Sequence, residues 1–379
     1  MVNRPPRPVW AVIAGGGTGG HVVPALAIGR ALVERGHEPS SIRFVGSARG
    51  IETTMVPAAG FELTRLPGRG IARRLNAANV GAVFGLLAAV VQAVLLIRRL
   101  RPSVTVAVGG YASVPAALAS ALWRVPVVVA EQNAVPGLAN RLSGRFAVAS
   151  AVSFEGTPLP RAVLTGNPVR REVVEADRSP SGRRAARQEL GLAADARVVL
   201  VAGGSLGARR INDAVVELAS LWADRAGVCI YHVVGRRDFE QLAARRPAPV
   251  AGGLDYRQVA FEERMALALA AADVTVQRAG ASTVAELTVA GVAAILVPLP
   301  GAPGDHQTAN ARRLADEGAA VLVPDGELAP ERLGGELDRL LGSPGTLERM
   351  AASARRLGHP DAAGRVALLI ESVVATSAG

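Results

Sequence analysis

Twice in this chain an apolar run ends on clustered glycines and gives way at once to a helix-forming stretch. The first copy reads Val12-Ile-Ala-Gly-Gly-Gly-Thr-Gly-Gly20 and the second Leu200-Val-Ala-Gly-Gly-Ser-Leu-Gly-Ala208. A buried strand that turns on glycine into a helix is the opening unit of a parallel α/β sheet. Two such openings in 379 residues predict two α/β domains of Rossmann-like type, since domains usually run to about 100–200 residues.

The rest of the chain fits that alternation. Runs at 9–14, 42–45, 104–108 and 126–130 read as strands of the first domain, with helices at 24–35 and 115–122. The stretch 165–180, with Gly166, Asn167 and Pro168, breaks the pattern as a linker does. Further strands follow at 198–202, 228–234, 274–277, 294–297 and 320–323. The expected domains are therefore 1–166 and 167–379, with the last helix a candidate to pack back on the first. Two such domains facing each other would form a cleft at the carboxyl ends of their strands. Aromatics make up only 3% of residues, so Ala, Val and Leu must fill both cores.

Composition removes several chemistries. All 42 basic residues are arginine, which leaves no lysine for a Walker A loop, a Schiff base or a pyridoxal phosphate anchor. The single cysteine, Cys229, lies in an apolar stretch, which excludes an intrachain disulfide and suits a reducing compartment. No His, Cys, Asp or Glu spacing suggests a metal site, and no Asp-x-Asp pair is present.

The net charge of +10 is unevenly placed. Residues 1–166 hold 17 Arg and 6 acids (17 − 6 = +11), and 167–379 hold 25 Arg and 26 acids (25 − 26 = −1). A basic first half suits an anionic membrane surface, an acidic ligand or nucleic acid. Residues 80–97 form an apolar run broken by Gln92 and followed by Arg98, Arg99 and Arg101, borderline in length for spanning a bilayer. Gly81, Gly85, Ala88 and Gln92 share one helical stripe, so these residues are expected to pack on a sheet in a domain helix with a lipid-touching edge. Residues 1–8 are polar and proline-rich and the run 9–14 is short, so no secretory signal is expected.

The glycine turns carry the chemistry. Gly15–Gly20 matches GxGxxG, but a dinucleotide site needs an acid at the end of the second strand, and none appears before Glu52. Arg49 keeps an NADP site open until the other turns are counted. Gly109-Gly110-Tyr111-Ala112-Ser113 and Gly203–Gly207 bring the total to three, which suits two anionic ligands better than one dinucleotide. In Gly280-Ala-Ser-Thr-Val-Ala-Glu286, Ser282 or Thr283 can cap a helix whose first amides take a phosphate, and Glu286 can accept both ribose hydroxyls. His21 follows the first turn as a candidate base on a sugar hydroxyl. His306 and Gln307 follow a later strand and a Pro/Gly loop.

Together these motifs resemble the bacterial UDP-N-acetylglucosamine:N-acetylmuramyl-(pentapeptide) pyrophosphoryl-undecaprenol N-acetylglucosamine transferase family. The resemblance runs through GGGTGGHVVPALA from Gly15, GGYAS from Gly109, EQNAVPGLANRL from Glu131 and GNPVR from Gly166. It continues through GGSLGARRIND from Gly203, RAGASTVAEL from Arg278 and LVPLPGAPGDHQTANA from Leu296. It implies the GT-B glycosyltransferase fold, an inverting transfer to the muramyl 4-hydroxyl, and no metal or other cofactor. It implies Arg170, Ser205 and Ala281, Ser282 and Thr283 at the diphosphate, Glu286 at the ribose and Gln307 at the donor sugar. Thr18, Gly19, Gly20, Asn133 and Asn140 would surround the sugar and acceptor, with His21 as base. The partners it implies are UDP-N-acetylglucosamine, the undecaprenyl-linked muramyl pentapeptide and an anionic membrane, met peripherally on its cytoplasmic face through Arg69, Arg73, Arg74, Phe84 and Leu87. Arg65, Arg98, Arg99 and Arg101 would add to that attraction. Ala130 stands where many members carry histidine, and Ala293 where proline is common.

Three other functions remain open at this level. A related transferase could use a different lipid or natural-product acceptor. A dinucleotide-dependent oxidoreductase is disfavoured by the missing acid. A nucleic-acid binder would lack the aromatics for base stacking, so no nucleic-acid partner is expected.

Overall fold

The computed structural model describes residues 9–67, 78–204, 207–343 and 345–378, without the side chains of 78–84 and 378. The chain forms two units by contact: residues 1–170 together with 359–379, and residues 171–358. The boundary therefore falls four residues later than the expected 166/167, and the C-terminal segment belongs with the first unit.

In the first unit the strands are β1 (Ala11–Gly15), β2 (Ile42–Ser47), β3 (Glu62–Leu66), β4 (Val104–Gly109), β5 (Val127–Glu131), β6 (Ala147–Val152) and β7 (Ala162–Leu164). Its helices are α1 (Gly19–Glu34), α2 (Glu52–Ala58), α3 (Ala78–Leu100), α4 (Ser113–Leu122) and α5 (Leu138–Ser143). The sheet runs β3-β2-β1-β4-β5-β6-β7, with every pairing parallel.

In the second unit the helices are α6 (Arg171–Val174), α7 (Pro180–Glu189), α8 (Arg209–Leu221), α9 (Phe239–Ala243), α10 (Met265–Ala271), α11 (Ala281–Ala290), α12 (His306–Asp316), α13 (Pro330–Gly342) and α14 (Thr346–Leu357). Its strands are β8 (Arg197–Ala202), β9 (Val228–Val233), β10 (Asp255–Val259), β11 (Val274–Gln277), β12 (Ala293–Leu296) and β13 (Ala320–Leu322). They run β10-β9-β8-β11-β12-β13, again all parallel.

Alternation along β1 builds two cores. Ala11 and Ile13 face Ile28 and Leu32 of α1 and Val366 and Ile370 of α15 (Ala362–Ala378). Val12 and Ala14 face Ala89, Ala93 and Ile97 of α3 and Ala116 and Ala119 of α4. The stripe expected to pack, which included Ala88 and Gln92, is corrected here. Both residues are exposed, and the buried stripe lies one position further on, where Ala89 and Ala93 allow close approach to the alanines of α4. None of the described helices is long and apolar enough to cross a membrane.

Both sheets place their first and fourth strands side by side, which creates a switch point where successive connections leave to opposite faces. Every glycine turn singled out above leaves a strand at such a point. Gly15–Gly20 follows β1 and Gly109-Gly110 follows β4; Gly203–Gly207 follows β8 and Gly280 follows β11.

Candidate functional site

In the first unit the two glycine turns touch. Gly16 N–H donates to Gly109 O at 3.3 Å, and a Cβ on Gly110 would lie 2.3 Å from Gly16 O. Gly109 and Gly110 also hold φ of +99° and +82°, a region that glycine enters without steric cost. A Cβ on Gly109 would meet His21 Cδ2 and Nε2 at 2.9 Å, so the missing side chain is what lets the imidazole lie on the β4 turn. His21 Nδ1 lies 3.2 Å from Gly16 O and 3.3 Å from Thr18 Oγ1. A bond to the carbonyl requires the proton on Nδ1, which makes Nε2 the atom with the lone pair.

Two buried glutamates shape the surroundings. Glu131, at the end of β5, accepts from Asn133 N at 2.8 Å, Asn133 Nδ2 at 3.1 Å, Gly137 N at 3.0 Å and Asn140 Nδ2 at 2.9 Å. It is the hub of the loop that carries Asn133 and Asn140. Asn140 Nδ2 also reaches Ala130 O at 3.0 Å, while its buried Oδ1 has no hydrogen-bond partner among the described residues. Glu52 accepts from Gly17 N at 2.8 Å, Ser47 N at 2.8 Å and Ser47 Oγ at 2.7 Å. Burial alone would raise its pKa, yet these donors hold it below the ordinary carboxylate value. Sequence reasoning registered Glu52 only as a ribose acid out of place. Its signal was Gly46 and Gly50, both pressed against the carboxylate.

In the second unit the turn from β11 into α11 is held from several sides. Arg278 Nη1 donates to Val297 O and Pro298 O, both at 3.1 Å, and to Asp325 Oδ1 at 2.6 Å. Asn310 Nδ2 donates to Ala279 O at 3.1 Å. The N-cap is Gly280, and no side chain caps the helix, so the expectation that Ser282 or Thr283 does so is corrected. Both lie inside the first turn, where Ser282 Oγ is buried without a hydrogen-bond partner among the described residues and the leading amides of α11 have no intrahelical acceptor. Glu286 is half-buried one turn further along. Gln307 Oε1 accepts from Leu299 N at 3.0 Å, which orients its carboxamide beside the β12 loop.

The first unit thus brings together Thr18, Gly19, Gly20, His21, Asn133 and Asn140 around two glycine turns. The second gathers Ala281, Ser282, Thr283, Glu286 and Gln307 near the ends of β11 and β12. Arg170 is the last residue of the first unit rather than an early residue of the second. Ser205, Arg69, Arg73 and Arg74 lie outside the described residues, as does the side chain of Phe84; Leu87 is exposed on α3. Among the described residues no group of His, Cys, Asp and Glu is arranged to hold a metal.

The two parallel α/β units, each with glycine turns at its switch point, coincide with the two domains of one glycosyltransferase family. Residues 11–152 match the glycosyltransferase family 28 N-terminal domain and 198–366 its C-terminal domain. Curated relatives refine the class. A transferase from Clavibacter sepedonicus is 41% identical over 368 residues, with 96% of each chain covered. One from Desulforudis audaxviator is 37% identical over 376 residues, covering 96% of this chain and 98% of the relative. Each is named a UDP-N-acetylglucosamine--N-acetylmuramyl-(pentapeptide) pyrophosphoryl-undecaprenol N-acetylglucosamine transferase, and this chain belongs to that family. The crystal structure of Acinetobacter baumannii MurG matches 96% of this chain and 100% of its own, with a TM-score of 0.78 and 31% identity. A kitacinnamycin glycosyltransferase at 18% identity and TM-score 0.70 shares the fold.

Proposed function

We propose that this protein transfers N-acetylglucosamine from UDP-N-acetylglucosamine to the 4-hydroxyl of the muramyl sugar in undecaprenyl-pyrophosphoryl-N-acetylmuramyl-pentapeptide. The observation that carries the reading is the end-to-end match to transferases whose name states that donor and acceptor. As the hydroxyl oxygen bonds to C1 of the donor sugar, the C1–O bond to UDP breaks and its electron pair leaves with the diphosphate. The acceptor proton passes to His21 Nε2. Attack opposite the leaving group inverts C1.

The second unit is the donor side. The free amides of α11, with Ala281, Ser282 and Thr283, take the diphosphate together with Arg170 and Ser205. Glu286 holds the ribose and Gln307 the sugar. Helix amides and arginine stabilise the departing charge without a metal. Thr18, Gly19, Gly20, Asn133 and Asn140 receive the acceptor and the sugar being moved.

Peripheral attachment to the cytoplasmic face of the membrane is supported by one surface. Leu87, Val91 and Leu95 of α3 are each more than half exposed, and Leu122 and Trp123 continue the apolar face at α4. Trp123 Nε1 donates to Val94 O at 3.1 Å, and Arg98 lies over the Trp123 ring at 5.6 Å. Apolar side chains flanked by arginines suit an interfacial helix, where each basic residue contributes about 1 kcal/mol near anionic lipid. Acceptor competition tests the substrate. Labelled donor offered with the muramyl pentapeptide lipid and with polyprenyl phosphates lacking muramic acid should label only the former; equal labelling would overturn the assignment.

A further inference from the structure

Glu52 is buried, ionised and, among the described residues, without an arginine partner, although it lies in the arginine-rich half of the chain. Such a group usually brings a counter-charge or a reason to do without one. Its three contacts are all N–H or O–H donors, and one of them is Gly17 N. Gly17 N and Gly16 O belong to the same peptide group. Glu52 Oε2 accepts from its N–H at 2.8 Å, while its carbonyl lies 3.2 Å from His21 Nδ1. A carboxylate on the N–H of an amide increases the negative charge on its oxygen, because bonds in a chain polarise one another.

We propose that Glu52 acts on His21 through the Gly16–Gly17 peptide. It is a positioning residue whose charge strengthens Gly16 O as the acceptor of Nδ1–H and so sets Nε2 to take the acceptor proton. The arrangement does the work of a carboxylate bonded directly to a histidine, with one amide interposed. It rests on the reading of His21 as the base. The glycines are part of it: a Cβ at Gly16, Gly46 or Gly50 would fall between 1.9 and 2.6 Å from a Glu52 side-chain atom. Three bare backbone positions let the carboxylate reach the turn.

Several other charged groups near α1 have partners of their own. Glu131 accepts from Asn133, Gly137 and Asn140. On α15, Glu371 pairs with Arg35 and His37 at the far end of α1, and Arg365 donates to Leu164 O. Thr18 Oγ1, at 3.3 Å, is a competing partner of Nδ1.

The test is ¹⁵N-histidine NMR on the full chain, whose 5 histidines are assigned with the aid of His21→Gln. In the unsubstituted protein and in Thr18→Val, neutral His21 should carry its proton on Nδ1. Glu52→Gln should shift His21 toward Nε2–H and lower kcat on the order of tenfold. It should also move the acid limb of the pH profile to lower pH, while UDP-N-acetylglucosamine affinity is unchanged. An unaltered tautomer in Glu52→Gln, or loss of Nδ1–H in Thr18→Val, would overturn the relay. Should Glu52→Gln fail to fold, Thr18→Val alone still decides which oxygen holds Nδ1. A changed tautomer with unchanged transfer would uphold the relay and remove His21 as the base.

Discussion

Truncating Glu131 to alanine should loosen the loop that carries Asn133 and Asn140 while sparing the donor side. Its carboxylate takes four N–H donors between 2.8 and 3.1 Å, and the residue is 3% exposed. Hydrogen bonds to a charged acceptor are worth about 1.5–3 kcal/mol each, and water entering the vacated space restores a large part. The net loss should be about 3–5 kcal/mol, the range for removing one member of a buried charged set. Glu131→Gln keeps one acceptor oxygen and should lose about half as much. Unfolding by denaturant in a Trp222→Phe background reads the first unit alone, since Trp10 and Trp123 both belong to it. Acceptor kcat/KM should fall on the order of 100-fold from misplacement, with donor affinity unchanged. A stability loss below about 1 kcal/mol, or an unaltered acceptor kcat/KM, would refute the hub role.

Other consequences are equally direct. Glu286→Ala should weaken UDP-N-acetylglucosamine binding about 10- to 100-fold, the worth of a charge-assisted bond to ribose, and calorimetry showing no change would remove that role. His232 is fully buried between Tyr256 OH and Asn212 Oδ1, each at 3.0 Å, and burial depresses its pKa from 6.5 to about 3. Between those values the unfolded chain binds a proton that the folded one refuses, so stability falls as pH drops below 6.5. The loss should reach about 2 kcal/mol at pH 5 and be absent in His232→Phe; equal acid sensitivity in both proteins would contradict it. Replacing Leu87, Val91 and Leu95 by glutamate should release the protein from anionic vesicles without abolishing transfer to a short-chain, water-soluble acceptor. Attachment of the unsubstituted protein should weaken with added salt, and salt-insensitive retention would count against a peripheral mode.

Most of the interior of each sheet was legible because buried parallel strands are continuous apolar runs, as in β1, β4, β8 and β11, whereas the alanine-rich interior strand β6 was missed. Of the edge strands only β13 was read. β3 reads Glu-Leu-Thr-Arg-Leu and β10 reads Asp-Tyr-Arg-Gln-Val, half-exposed sequences with no run to detect. β7 at the other edge of the first sheet has only three residues. Pro24 looked like a helix start and is instead internal to α1, which begins at Gly19 and so brings His21 into the helix. The glycine turns announced where ligands approach. They could not reveal that Glu52 holds the first of them, because its bond to Gly17 N joins positions 35 residues apart that local spacing does not connect. The Ser282/Thr283 cap failed for a related reason: Gly280 takes the N-cap position and carries no side chain to close it.

Donor, acceptor and reaction can be addressed in one assay. Purified protein would be given labelled UDP-N-acetylglucosamine and undecaprenyl-pyrophosphoryl-N-acetylmuramyl-pentapeptide in the presence of EDTA, with label followed into the lipid. Label should reach the lipid, with a β-linked disaccharide as product. Donor binding without any label reaching the muramyl lipid would contradict it.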